Sequence, residues 1–340
     1  MKERNSILIV GVGSIGERHL RCFGATGRAE LSICELNANL RKTIADRYEI
    51  TQAFENLEDA LSSRPSAVVI CTPAHLHIAM ATAAAKVGAN LLIEKPLSTS
   101  PNGIAELREE INRRTLIASV AYVYRAHPVL TKMREALHSG RFGPALQIVA
   151  TCGQNFPFFR PAYRETYYKD RATGGGAVQD AFTHVINAGE WLVGPVDSLV
   201  ADIGHQKLAG VEVEDTVHVL TRHGSVMGCF SLNQHQSPNE VVITVICQHG
   251  TVRFENQHNR WRWMAEPDSP WHDEVGDQLD RDTLFIRQAE GFLDYLNGIK
   301  APLCSLEEAI QTLAVNLAIL NSADSRQWQL INQQTEPHGT

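Results

Sequence analysis

The sequence predicts an α/β chain in two parts: a doubly wound parallel sheet, then a mainly antiparallel sheet carrying helices. Three observations carry that prediction. Over roughly the first 120 residues, short continuous apolar runs alternate with helical stretches. Beyond them the apolar runs follow one another with only turn residues between. The length of 340 residues also exceeds what one hydrophobic core usually fills, so about two domains are expected.

Taken in order, "SILIVGV" is an apolar run of strand length, as expected for a strand buried on both faces. "SIGERHLRCFGA" has helical spacing, "ELSICEL" reads as the second strand and "NANLRKTIADRY" as a helix. "PSAVVICTP" is another buried strand, and "LHIAMATAAAKVG" an alanine-rich helix ended by Gly88. "ANLLIEKP" is a strand stopped by Pro96; "GIAELREEINRR" is a charged helix, followed by "TLIASVAYVY". The later runs are "PALQIVATC", "VDSLVADIG", "DTVHVLTRH", "SVMGCFSLN", "VVITVICQ", "TVRFENQ" and "RWRWMA". The turns "RHGSV" and "QHGTV" point to hairpins. From Thr283 to about Gln327 helical periodicity returns, and the tail "INQQTEPHGT" is expected to fray.

Composition narrows the function. The chain is 44% hydrophobic and 20% charged, which argues against disorder. Its net charge of −7 and lack of a Lys/Arg block disfavour a nucleic-acid partner. No apolar run is long enough for a bilayer, and "MKERNSILIVGVG" lacks a secretory cleavage site. The seven cysteines form no CxxC pair, so reduced thiols in a cytoplasm are expected, with Cys34 and Cys71 as packing residues. The fourteen histidines are dispersed and form no HExxH or Cys/His cluster, so no metal is expected. In "DTVHVLTRH", strand alternation leaves His218 pointing either inward or outward.

"GVGSIG" (Gly11, Gly13, Gly16, with Ser14 and Ile15) follows the first strand and opens a helix. In that context the glycines let backbone N–H groups approach a pyrophosphate at the positive helix end. An acidic residue is expected about twenty positions on, at the end of the second strand. Glu35 stands there; a carboxylate accepts from both ribose hydroxyls and repels a 2′-phosphate, favouring NAD over NADP. Arg41, were it to reach the ribose, would make NADP tolerable. Lys95 closes a parallel strand at its carboxyl end, where doubly wound sheets bind ligands. It reads either as a charged donor to a substrate hydroxyl or as a solvated strand-end lysine.

The ordered set "GVGSIG", "CTPAHLH", "IEKPLS", "YRAHP" and "GGGAVQDAFTH" resembles the Gfo/Idh/MocA oxidoreductases over most of the chain. The resemblance implies a Rossmann domain over 1–124 and a C-terminal α+β domain over 125–340 with an open, mainly antiparallel sheet. It implies that this sheet forms a homodimer or homotetramer interface. It also implies that Thr72, Pro73 and His77 line the cofactor crevice, with Glu94 and Lys95 near the nicotinamide and Arg125 where the domains meet. Ala74, Phe182 and Asn187 depart from the usual pattern, the last two at positions expected to bear on substrate identity.

Within "TGGGAVQDAFTHVINAGEWLVG", Asp180 and His184 are four apart and project from one helical face, continued by Asn187 and Trp191. Phe182, Val185, Ile186, Gly189 and Leu192 form an apolar anchor. The expected chemistry is reversible oxidation of a secondary alcohol. His184 serves as base, Asp180 supports it or holds a neighbouring hydroxyl, and Lys95 donates to the reacting oxygen. The resemblance assigns the same base. Upstream, "FFRPAYRETYYKDRA" crowds Arg160, Tyr163 and Tyr167 with further cations, pointing to a polyol, sugar acid or nucleotide-sugar substrate. The competing readings are a catalytically silent dinucleotide sensor on the same fold, and a reductase of an imine, double bond or keto group.

Overall fold

The computed structural model describes residues 4–331, so the expected frayed tail lies, apart from Ile331, outside the described residues. The chain divides into two compact units, residues 1–126 with 279–309, and residues 127–278 with 310–340.

The first unit holds six parallel strands: β1 Asn5–Val10, β2 Ala29–Cys34, β3 Ala53–Phe54, β4 Ala67–Ile70, β5 Asn90–Ile93 and β6 Ala118–Val120. Their order is β3-β2-β1-β4-β5-β6. Ile7, Leu8 and Ile9 are all 0% exposed, which explains why the first run is apolar without alternation: helices cover both faces. The order reverses between β1 and β4, so the switch point lies at the carboxyl ends of those two strands, where Gly11 and Cys71 begin their loops. Strand β3 has only two residues and no apolar run, hence no periodic signal to find.

The sequence reading has one division, at 124/125, whereas the chain crosses between the units at 126/127, 278/279 and 309/310. Packing chemistry explains the returning segment. From the helix Thr283–Leu296, Phe292 sets its ring edge-on to Phe23 at 6.2 Å, and Leu293 is fully buried in the same core. Just before that helix, Asp282 pairs with Arg21 on the helix Ser14–Ala25.

The second unit carries nine strands: β7 Ala145–Asn155, β8 Ser198–Gly204, β9 Thr216–His223, β10 Val226–Asn233, β11 His235–Cys247, β12 Gly250–Glu255, β13 Arg260–Met264, β14 His272–Val275 and β15 Gln329–Leu330. Their order is β14-β13-β12-β11-β7-β10-β9-β8-β15, antiparallel except where β10 runs parallel to β7. Both expected hairpins form: His223 pairs with Val226 and Cys247 with Gly250. Strands β14 and β15 carry no comparable signal in the sequence, being short and largely exposed. Alternation along β9 buries Val217 and Val219 and turns His218 outward, beside exposed Leu220. The opposite face meets the helix Thr183–Val193, and a Cβ at Gly189 would stand 2.7 Å from the Phe230 ring. That glycine is required by close helix–sheet approach.

Asp215, fully buried ahead of β9, accepts from the backbone N–H of Gln206 (2.9 Å), Lys207 (2.7 Å) and Leu208 (2.8 Å) and from the Thr216 hydroxyl (2.9 Å). Burial pushes its carboxyl pKa up, but these donors outweigh burial and hold it below the ordinary aspartate value. A folded-state pKa below the unfolded one stabilises above the unfolded pKa and is lost as pH falls through the folded value. Asp215→Asn is therefore expected to cost about 2–3 kcal/mol near neutrality and progressively less below about pH 4. Denaturant melts across that range check it; a difference that persists unchanged in acid refutes it.

Candidate active site

In the first unit the glycine loop is shaped by three different constraints. Gly11 has φ +80°, and a Cβ there would stand 3.1 Å from Thr72 Cγ2. Gly16 has no room at all, since its Cβ would fall 1.8 Å from the Gly11 carbonyl oxygen. Gly13, by contrast, has open space and caps the helix beginning at Ser14; both residues are exposed, and Ile15 is half-buried. Unobstructed backbone at a helix N-terminus is what a pyrophosphate requires.

Glu35 lies directly beyond β2. Its carboxylate accepts from the Val12 N–H (3.0 Å), within the glycine loop, and from the Asn37 N–H (3.0 Å). The acid is thus fixed beside the cradle. Arg41 donates to the Glu35 carbonyl (2.6 Å) and to the Glu55 carboxylate (3.2 Å), so its guanidinium is engaged by its own neighbours.

The loops after β4 and β5 are tied together by His77. Its ring is 1% exposed, with Nδ1 3.0 Å from the Pro96 carbonyl and Nε2 2.7 Å from the Thr72 carbonyl. Burial pushes its pKa down, against the pull of those carbonyls. The expectation that His77 lines the crevice changes accordingly: its ring is buried and braces the two loops. Thr72 is half-buried with its hydroxyl on Met80 Sδ, and Pro73 is exposed at the rim. Glu94, 5% exposed, receives His19 Nε2 (2.7 Å) on one oxygen and the Lys95 N–H (2.9 Å) on the other. His19 was missed by sequence reasoning; its one signal was a histidine on the apolar side of the first helix. Lys95 is half-buried. Arg125 is 3% exposed and pairs with Glu308, which makes it part of the internal framework of this unit.

In the second unit the expected regular helix begins instead as a π-helical turn, Val178–Phe182, and continues as the α-helix Thr183–Val193. Asp180 and His184 thus span a widened turn, a feature frequent at functional sites. Both are partly exposed among buried neighbours: Val178, Gln179, Phe182, Val185 and Ile186. Tyr167 reaches this turn, donating its hydroxyl to Asp180 Oδ1 at 2.7 Å.

Other predicted residues part company here. Tyr163 is 3% exposed, donates to the Ala209 carbonyl (2.7 Å) and packs with Phe156 and Tyr168, so it is core, not substrate surface. Arg160 is exposed on the same segment. Phe182 and Asn187, expected to bear on substrate identity, are 0% and 1% exposed. Asn187 donates to Thr312 Oγ1 (3.0 Å) on the helix Leu306–Ser325. Thr312 in turn donates to buried Glu190 (2.6 Å), and Asn316 donates to Thr183 (2.8 Å). This second polar stripe, Thr183, Asn187 and Glu190, turns toward a neighbouring helix, and periodicity could not tell it from the open one.

A parallel sheet with a glycine cradle at its switch point and a fixed acid after the second strand defines a dinucleotide-binding protein. Residues 5–122 match the family described as "Oxidoreductase family, NAD-binding Rossmann fold", and residues 130–253 match the "GFO/IDH/MocA C-terminal domain". The chain belongs to the Gfo/Idh/MocA oxidoreductase family. Among curated relatives, levoglucosan dehydrogenase of Pseudarthrobacter phenanthrenivorans is 25% identical over 57% of this chain and 52% of its own length. UDP-N-acetylglucosamine 3-dehydrogenase of Acidithiobacillus ferrooxidans is 26% identical over 56% of this chain and 55% of its own. The chain thus spans about half the length of these relatives. A solved structure of levoglucosan dehydrogenase in complex with NADH shares the fold, with a TM-score of 0.89 over 97% of this chain and 100% of that one, at 19% identity.

Proposed function

We propose that the chain is an NAD-dependent dehydrogenase acting on a secondary alcohol, or the corresponding ketone, of a sugar, cyclitol, sugar acid or nucleotide sugar. The observation that supports this best is the pairing of Asp180 and His184, both partly exposed one turn apart at the start of a largely buried helix, in a chain whose other unit is an NAD-binding cradle. The residues fit the cofactor: Gly13 and Ser14 offer bare backbone to the pyrophosphate, and Glu35 is fixed to accept from a ribose. NAD supplies the hydride acceptor. His184 removes the hydroxyl proton, and an imidazole, whose ordinary pKa is about 6.5, can return the proton as well. Lys95 donates to the reacting oxygen and stabilises developing alkoxide charge. Asp180, held by Tyr167, grips a neighbouring hydroxyl. Such neighbouring hydroxyls are what a sugar offers, and the relatives named above are dehydrogenases of levoglucosan and of UDP-N-acetylglucosamine. The outward sheet face, with Leu220 and Met227 each 51% exposed, is the surface we assign to a homodimer or homotetramer. Among the described residues no helix is long and apolar enough to cross a membrane. Seven free cysteines, one of them exposed, favour a reducing cytoplasm.

A single assay tests the reading: oxidation of sugars, inositols, sugar acids and UDP-sugars, each with NAD and with NADP. NADH formation with at least one class is expected, with kcat/KM for NAD at least about tenfold above NADP. The reverse cofactor order sinks the role of Glu35. No turnover in any class, with NADH still binding, shifts the assignment to a dinucleotide sensor.

A further inference from the structure

The run Gly174–Gly176 and the helix after it are organised by a residue that no motif singles out, Glu214. Its side chain is 1% exposed, in the segment ahead of β9. One carboxylate oxygen accepts from the Val178 N–H at 3.0 Å, the first residue of the π turn. The other accepts from Arg171 Nε at 2.7 Å. Its main-chain carbonyl accepts from the Ala177 N–H at 3.0 Å. Two successive N–H groups at a helix start, ordinarily orphaned, are therefore served by one residue 36 positions away. Local capping is absent, because the residue at the cap, Ala177, has no side-chain acceptor.

The glycines are shaped around this carboxylate. Gly176 has φ +86°, and a Cβ there would stand 2.3 Å from Glu214 Oε1. A Cβ at Gly175 would stand 2.2 Å from the Tyr168 carbonyl. Charge also matters. A buried carboxylate is costly unless paired, and here it faces a guanidinium and the positive end of a helix. Arg171 extends the clamp: its carbonyl accepts from Gln179 Nε2 (3.0 Å), which binds the segment carrying Tyr167 to the helix carrying Asp180.

We propose that Glu214 is a positioning residue for Asp180 and His184, setting the start of their helix through Val178 and the Tyr167 segment through Arg171. Catalytic groups tolerate little displacement, so loss of this anchor lowers turnover without touching the NAD cradle, which is built by other residues. The proposal rests on the dehydrogenase reading above, and the experiment separates the two.

Three variants of the full chain are compared with wild type: Glu214→Ala, Glu214→Gln and His184→Ala. Turnover is measured with NAD and the best substrate of the panel, and backbone hydrogen exchange is followed over residues 176–184. Glu214→Ala is expected to lower kcat by about 100-fold with the KM for NAD within about threefold, and to speed exchange in that segment at least about tenfold. Glu214→Gln keeps an acceptor for Val178 while losing the ion pair, so it is expected to recover kcat to within about tenfold of wild type. That split between kcat and KM, with rescue by glutamine, is not what general destabilisation produces. Should Glu214→Ala fail to fold, Gly176→Ala, which displaces the carboxylate sterically, takes its place with the same expected signs. Wild-type turnover and wild-type exchange in Glu214→Ala, or in Gly176→Ala where that takes its place, with His184→Ala inactive, overturn this inference alone. An active His184→Ala overturns the assignment of the base instead. Exchange is read without substrate, so it tests the anchor even where the panel gives no turnover.

Discussion

Alanine in place of His184 is expected to lower kcat by about 10²–10⁴-fold and to leave NADH affinity within about threefold. The size follows from the role: without a positioned base, the hydroxyl proton must leave to water as the hydride departs. The selectivity follows from the fold. His184 is partly exposed, while Val185, Ile186 and Ala188 beside it are at most 2% exposed and hold the helix without it. Stability should therefore change by no more than about 1 kcal/mol. Lys95→Ala should also lower kcat, and loss of its alkoxide stabilisation makes about 10²–10³-fold the expected range. A variant that turns over near the wild-type rate refutes the assignment.

The second large effect belongs to Gly16. A Cβ at this position would lie 1.8 Å from the Gly11 carbonyl oxygen, a backbone atom that cannot rotate away. Gly16→Ala must push the first helix off its loop, and the expected cost is at least about 3 kcal/mol, with NADH affinity falling at least about 100-fold. Gly13→Ala is the informative contrast. Nothing lies within 4 Å of its Cβ, and its φ of −62° suits any residue. It should melt like wild type yet bind NADH more weakly, because the methyl group occupies the pyrophosphate's approach. Calorimetric melts and NADH titration distinguish the pair. Equal stability of the two variants would falsify the division of labour between these glycines.

Much of the first unit was legible because its signals are local. A strand buried on both faces must be apolar throughout, and a glycine loop joining it to a helix marks the switch point. Glu35 was legible for the same reason, since its place depends only on the length of one strand–helix–strand unit. The π turn was not legible, because residues 178–182 read equally well as α-helix. Nor was the role of Tyr163: an aromatic beside arginines reads as a ligand platform until its ring is found packed on Phe156 and Tyr168.

By itself, then, the sequence determined the two sheets and the glycine loop, because each follows from periodicity or short spacing, and with the family resemblance it offered Glu35, Lys95, Asp180 and His184 as candidates. Tertiary structure alone decided which polar residues face inward. His19 on Glu94, Asn187 on Thr312 and Glu214 on Arg171 are separated by 75, 125 and 43 residues respectively. No spacing rule reaches so far. A buried polar group is recognised only by the partner that compensates its lost hydration, and the fold alone brings that partner to it.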